Sequence, residues 1–296
     1  MGVDMSDLIA VLPAAGRGSR LGSTPSSKEI LPLGFDHSGA DHDGLGQWRP
    51  VTAIESHLWA LRSAGVVRVI VVVGHGKHDI MDYLGSGSRY GVKISYLFQD
   101  ELRGMPFALD LAHAWTAEST TLFAMPDTLI EPADTARRLS RAHLASGADL
   151  SLGLFETDNP RKFGMVRTDA DGRIVELIDK PRFSHLRLMW GLAAWSPTFA
   201  DFMHDYLKGI VPTAAETLLT DVFAEALRSG LTVNAVPLTD ARYNDIGTPS
   251  EFQSVVRRLA NRQQPASAGD SALTNDAEPV KSTVVWPRLS VVRAAR

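Results

Sequence analysis

Val66-Val67-Arg68-Val69-Ile70-Val71-Val72-Val73 is a nearly continuous β-branched run, broken only by Arg68, in a chain of 296 residues. It lacks the in–out alternation of a half-exposed strand. It therefore reads as a strand buried on both faces of a parallel sheet. Upstream, Val51, Ile54, Leu58 and Leu61 fall at helical spacing, and Gly65 closes that helix. Further upstream, Leu8 to Leu12 is a short apolar run that ends in Pro13-Ala14-Ala15-Gly16. Downstream come a strand at Ile94 to Phe98, a helical stripe of Ala108, Leu111, Ala112 and Trp115, and a strand at Thr121 to Met125. Ala133 to Ser146 reads as a polar-faced helix ended by Gly147. Strands alternating with helices predict an α/β, Rossmann-like, doubly wound sheet.

After residue 148 the pattern becomes more mixed. Leu150 to Phe155, Met165 to Thr168 and Ile174 to Ile178 read as strands, with Asp171-Gly172 as a hairpin turn between the last two. This predicts a smaller β-rich extension of the first sheet, making the whole sheet mixed. A helix near Thr220 to Arg228, a strand at Leu231 to Val236 and a helix from Pro249 to Leu259 complete the expected fold. Gly34 to Gln47 reads as a surface loop, and residues 262–296 as a flexible tail in which Val284 to Val292 could dock.

Composition narrows the function. The hydrophobic share is 44%, enough for a real core, and the net charge of −4 gives no reason to expect a nucleic-acid partner. There is no cysteine, which excludes disulfides, zinc–thiolate sites and cysteine nucleophiles. The longest apolar run, Val66 to Val73, is far shorter than the roughly 20 residues of a membrane span. Asp4 and Asp7 stand where a signal peptide would be basic. Met1 to Ser6 matches the short myristoylation pattern, read as chance because no polybasic patch supports it. A cytoplasmic protein without a membrane partner is expected. The oligomeric state is left open, a homo-oligomer included.

The strongest local signal is Leu12-Pro13-Ala14-Ala15-Gly16-Arg17-Gly18-Ser19-Arg20-Leu21, followed by Lys28-Glu29-Ile30-Leu31-Pro32-Leu33. Small residues after a first strand let backbone N–H groups approach phosphates, and Arg20 and Lys28 add charge where a triphosphate would lie. A dinucleotide fingerprint would need glycine where Leu21 stands, and a P-loop would need Gly-Lys-Ser/Thr. By itself the loop is also compatible with a plain glycine-rich turn carrying a solvated arginine. Asp127 follows the apolar run Leu122 to Met125 after a single proline, at the strand edge where open α/β sheets bind ligands. By itself it is also compatible with a turn or cap residue near Glu131-Pro132. Asp245 precedes Thr248-Pro249-Ser250-Glu251, a capping box with proline at the first helical position, so the cap does not need Asp245. His75 with His78, and His37 with Asp41 to Asp43, have tempting metal-ligand spacing but read as solvated residues.

Gly-x-Gly-x-Arg-Leu, a short gap, then Lys-Glu-x-Leu-Pro-Leu resembles the signature of the sugar-1-phosphate nucleotidyltransferases. The resemblance runs from about Leu8 to Leu259 and extends to the thymidylyl- and uridylyltransferases. It implies a nucleotidyltransferase domain over 1–261, with an NTP-binding part at about 1–147 and a sugar-binding and metal part at about 148–261. It implies that Ala14, Ala15, Gly16 and Gly18 line the nucleotide, and that Arg20 and Lys28 hold its triphosphate. Asp127 and Asp245 match the pair that holds Mg²⁺ in the family, and two carboxylates suit that ion's demand for hard oxygen ligands. Asp179-Lys180-Pro181 resembles the family's Glu-Lys-Pro, with the acid on sugar hydroxyls and the lysine on the sugar phosphate. Asp179 is one methylene shorter than the usual Glu. Gly164 and Gly191 match sugar-side glycines, and Thr128 stands where the thymidylyltransferases carry a substrate-contacting Asn.

Gln99 and Gly104 match the residues that read a pyrimidine base, and a glutamine amide offers both a donor and an acceptor to such an edge. A solvated strand-end Gln is an equal alternative. The implied partners are a nucleoside triphosphate, dTTP or UTP for preference, and a sugar-1-phosphate or sugar-like phosphate. The implied products are an NDP-sugar and pyrophosphate. The alternatives are a cytidylyltransferase acting on a polyol phosphate, a purine-specific enzyme of the same chemistry, and a non-catalytic nucleotide-binding homologue. A glycosyltransferase would use an Asp-x-Asp motif, which Asp127-Thr128-Leu129 lacks.

Overall fold

The structure, a computed structural model, describes residues 8–36, 49–211 and 216–263. The readings placed on Met1 to Ser6, on the loop between Asp36 and Gln47, and on the tail past Gln263 lie outside the described residues. In chain order the elements are β1 (Leu8–Pro13), β2 (Gly34–Asp36), β3 (Arg49–Val51), α1 (Ala53–Ser63), β4 (Arg68–Val73), α2 (His78–Leu84) and β5 (Lys93–Phe98). Then come α3 (Met105–Asp110), α4 (His113–Thr116), β6 (Thr120–Ala124), β7 (Thr128–Glu131), α5 (Thr135–Ser146), β8 (Leu150–Glu156), β9 (Gly164–Thr168) and β10 (Ile174–Asp179). The last are β11 (Leu188–Trp195), α6 (Pro197–Lys208), α7 (Leu219–Arg228), β12 (Val233–Pro237), β13 (Arg242–Asp245) and α8 (Pro249–Gln263).

The decisive run behaves as its composition requires. β4 lies between β1 and β5, parallel to both, and Val71 and Val72 on its opposite faces are each 0% exposed. β6 pairs parallel with the other edge of β1, so Val11 stands between Ile70 and Phe123. One face, with Leu8, Ala10, Leu12, Val69, Val71 and Val73, packs on Ile54, Leu58 and Leu61 of α1 and Leu139 of α5. The other, with Ile9, Val11, Ile70 and Val72, shares a core with Phe199 of α6 and Phe223 of α7. Period-two alternation thus feeds two cores from one apolar run.

The second half continues the same sheet. β11 pairs antiparallel with β6 through Ala193 and Phe123, and with β8 through Ala193 and Leu152. β12 adds parallel to β8, while the β9–β10 hairpin extends the sheet on the other side of β11. The hairpin turns at Asp171-Gly172, where Gly172 takes φ +80. Neither β11 nor α6 is read from the sequence, and the helical stripe from Ala108 to Trp115 divides into α3 and α4. Gly34–Asp36, read as the start of a loop, is instead a short strand paired with Arg49–Val51. α1 opens on a capping box of its own. Thr52 Oγ1 accepts from the Glu55 backbone N–H at 3.3 Å, and the Glu55 carboxylate returns to the Thr52 hydroxyl. Among the described residues no helix is long and apolar enough to cross a membrane.

A second small ladder, besides β2–β3, stands apart from the main sheet. β7 pairs antiparallel with β13, placing Thr128 opposite Asp245. This ladder turns two distant carboxylates into neighbours.

Candidate active site

Asp127 leaves the carboxyl end of β6, a central strand, and its backbone carbonyl accepts the Ile246 N–H at 3.2 Å. Asp245 ends β13 beside it, and Asp245 Oδ1 accepts the Gly247 N–H at 2.7 Å. Burial, and then the negative charge of Asp127, hold the Asp245 carboxyl above its ordinary range. Gly247 lets a cation approach: a Cβ there would lie 2.6 Å from the Arg20 guanidinium. Two crowded carboxylates are a donor set that a hard divalent cation relieves. Among the described residues no cluster of three or more metal-ligating side chains occurs. A cation held by Asp127 and Asp245 would therefore complete its shell with substrate oxygens and water, the usual habit of magnesium.

The cations come from the glycine-rich segment. Lys28 forms an ion pair with Asp127, and Arg20 lies 3.9 Å from Asp245. Burial lowers the Lys28 pKa, but Asp127 and Glu29 outweigh it and hold the ammonium above its ordinary value. The short helical turn Lys28–Ile30 is clamped from α2 and the segment before it. Asp79 accepts both the Ser27 N–H and the Ser27 hydroxyl at 2.6 Å, and Lys77 donates to Glu29 at 2.8 Å. Below Asp127, His57 Nε2 donates to the Thr128 carbonyl at 2.9 Å. Burial pushes the His57 pKa down to about 4, so this imidazole is a neutral support. Lys77, Asp79 and His57 escape the sequence reading, because each partner is distant in sequence and no motif marks them; Glu29 stands inside the Lys28–Leu33 motif, but its buried pairing with Lys77 is not legible there.

Thr128 is 2% exposed, and its hydroxyl donates to the Met125 carbonyl at 2.8 Å and lies 3.1 Å from His57, so it braces the Asp127 turn.

Asp179 and Lys180 close β10. Asp179 Oδ1 accepts the Thr220 hydroxyl at 2.9 Å, and that hydroxyl accepts the Trp190 indole N–H at 3.0 Å. Lys180 has φ +42, unusual for a residue with a side chain, and its N–H donates to the Phe163 carbonyl at 3.0 Å. Its ammonium lies 3.5 Å from Asp179 and is more than half exposed. The two glycines have packing reasons. A Cβ on Gly164 would sit 2.1 Å from Trp190 Nε1, and one on Gly191 would sit 2.6 Å from the Tyr243 ring.

On the nucleotide side, Ala14 and Ala15 bury their methyls while Gly16 is exposed. Gly18 takes φ +66 where the chain turns toward Arg20. Gln99 is 6% exposed at the end of β5, so the solvated alternative is wrong. The open side of Gly104 faces this chain's own backbone: a Cβ there would lie 2.3 Å from the Thr217 carbonyl, whose residue donates its N–H to Arg103 at 3.2 Å.

The chain resembles known proteins in sequence and in fold. A profile described as nucleotidyl transferase matches residues 50–262. A low-salt glycan biosynthesis nucleotidyltransferase of Haloferax volcanii is 26% identical over 219 residues, covering 71% of this chain and 59% of its own length. A glucose-1-phosphate thymidylyltransferase of Streptomyces griseus is 25% identical over 265 residues, covering 88% of this chain and 68% of that one. The bifunctional GlmU of Staphylococcus carnosus is 30% identical over 173 residues, 33% of its length. This chain therefore spans less than two thirds of some of its relatives. A crystal structure from Bacillus anthracis, assigned as a glucose-1-phosphate thymidylyltransferase, superposes with a TM-score of 0.72 at 20% identity. It covers 88% of this chain and 98% of that one.

Proposed function

The chain belongs to the nucleotidyl transferase family, and from that premise we propose that it joins a nucleoside triphosphate to a sugar-1-phosphate, giving an NDP-sugar and pyrophosphate. The observation that carries this reading is the pairing of Lys28 with Asp127 and the approach of Arg20 to Asp245, with Lys180 just past the end of β10 in the same sheet. The relatives named for glucose-1-phosphate thymidylyl transfer and for glycan biosynthesis support the same chemistry.

In the reaction, a phosphate oxygen of the sugar phosphate attacks the α-phosphorus in line. The new P–O bond forms as the bond from the α-phosphorus to the bridging oxygen breaks, and pyrophosphate leaves with that electron pair. The attacking monoester is largely dianionic at neutral pH, so no general base is needed. Catalysis is positioning and charge neutralisation. Arg20 and Lys28 take the charge of the leaving pyrophosphate, Lys180 holds the sugar phosphate, and Asp179, fixed by Thr220, meets sugar hydroxyls. Magnesium, held by Asp127 and Asp245, would supply charge compensation between the two phosphates.

Two expected results test this. In a matrix of five triphosphates against several sugar-1-phosphates, read by pyrophosphate release, dTTP or UTP should exceed ATP and GTP. Gln99, buried at the strand end, would meet the base edge, and each buried polar group left unpaired by a mismatch costs about 1–3 kcal/mol. Preference for a purine, unchanged in Gln99→Ala, would remove Gln99 from the base site. No pyrophosphate with any pair would defeat the transferase reading itself. The second result concerns Lys180→Ala. The KM for the sugar phosphate should rise about tenfold or more, with that for the triphosphate little changed, because a charge-assisted contact is worth about 1.5–3 kcal/mol. An equal rise for both substrates would place Lys180 on the other phosphate.

A further inference from the structure

Lys162 ends a short helical turn, Pro160–Lys162, just before Gly164 opens β9. Its backbone adjoins that of Lys180, since the carbonyl of the next residue, Phe163, accepts the Lys180 N–H. Its ammonium does not stay with that half of the molecule. It crosses to Glu251, in the first turn of α8, and forms an ion pair with Glu251 Oε1. The other carboxylate oxygen of Glu251 accepts the Thr248 hydroxyl at 2.6 Å, so the helix cap is satisfied without the lysine. Glu251 also adds to the negative field at Asp245 and feels the Arg20 guanidinium.

Three pairings of one kind therefore adjoin one another: Lys28 with Asp127, Arg20 near Asp245, and Lys162 with Glu251, with Asp127 and Glu251 both acting on Asp245. In each, a cation from a loop faces a carboxylate on the Asp127–β13–α8 side. The cluster is balanced, three positive charges against three negative. A phosphate monoester dianion entering it competes with the carboxylates for the cations. The Lys162–Glu251 pair, at the surface, resists such competition weakly.

We propose that Lys162 is a further substrate-binding residue, whose ammonium leaves Glu251 to hold the phosphate of the sugar-1-phosphate beside Lys180. This rests on the transferase reading above. The sugar phosphate, rather than the triphosphate, is assigned because Lys162 stems from the backbone that positions Lys180 and Gly164, whereas Arg20 and Lys28 stem from the glycine-rich segment.

The test is steady-state kinetics on the full chain, varying each substrate of one accepted pair, for wild type, Lys162→Ala, Lys162→Arg, Glu251→Gln and the Ala/Gln double variant. Lys162→Ala should raise the KM for the sugar phosphate about tenfold and leave that for the triphosphate within about twofold. Lys162→Arg should keep most of the affinity. Glu251→Gln should lower the sugar-phosphate KM about two- to threefold by releasing the lysine, and this gain should vanish in the double variant. If Lys162→Ala does not fold, the substrate-selective gain in Glu251→Gln decides the matter alone. Equal shifts for both substrates, or none, overturn the role of Lys162 while the transferase reading stands. A wild type that releases no pyrophosphate with any pair overturns both.

Discussion

Asp127→Asn is expected to lower kcat about 100- to 1000-fold at saturating Mg²⁺, the scale seen when one preorganised electrostatic group is removed from a transition state. The substitution keeps the shape of the side chain and removes its charge. Two consequences follow at once. The carboxylate pair that would hold the metal is reduced to Asp245, and Lys28 loses the partner that holds its ammonium in a largely buried position. The fold should survive. The Asp127 contribution to the β7–β13 ladder is its backbone carbonyl, which still accepts the Ile246 N–H. Thermal unfolding and kcat measured on the same preparation separate the two effects. Near-normal turnover at saturating Mg²⁺ would remove Asp127 from the chemistry and undercut the proposed function.

The same residue shows what the sequence makes conspicuous. Asp127 is conspicuous because an acid just past an apolar strand, at the carboxyl edge of a parallel sheet, has no packing purpose. Asp245 stands out because Thr248 and Glu251 already explain the cap, and the Thr248–Glu251 contact is present. The parallel core is legible because both faces of β4 are apolar. What is not legible is how the two acids meet. β7 and β13 have only four residues each, too few for a periodic signal, and their pairing is a long-range event. β11 escapes for another reason. Leu-Met-Trp-Gly-Leu-Ala-Ala-Trp is apolar throughout, and its Gly and Ala residues carry no strand preference. A motif position fixes where the backbone goes and not which way a hydroxyl turns, so the contacts of Thr128 with Met125 and His57 are not legible. Nor is the approach of Thr217 to Gly104, since a glycine that admits a ligand and one that admits backbone look alike in sequence.

Lys77→Met is expected to cost about 3–5 kcal/mol of stability, because removing one member of a buried ion pair strands the other. Lys77 is 5% exposed and Glu29 1%, and their contact at 2.8 Å ties the loop after β4 to the turn that carries Lys28. Methionine keeps the apolar stem and deletes the charge, so little cavity is created. Burial already pushes the Glu29 carboxyl above its ordinary range, with Lys77 the main opposing influence. Without Lys77 that carboxyl must rise further in the folded state, while its unfolded value is unchanged. A group whose folded pKa is raised loses stability as pH climbs from the unfolded value toward the folded one. The deficit of the variant should therefore be smallest in acid and grow toward neutrality. At neutral pH the melting temperature should fall by roughly 6–20 °C, at about 2–4 °C per kcal/mol. The double variant Lys77→Met with Glu29→Met should recover much of that loss, since replacing both members of a buried pair by apolar groups is often neutral. Turnover should recover less than stability does, because Glu29 also helps to hold the charge of Lys28. Melting curves across pH for the three proteins give the answer. If Lys77→Met melts with the wild type at every pH, Glu29 carries no buried charge, and the turn bearing Lys28 is held by Ser27 and Asp79 alone.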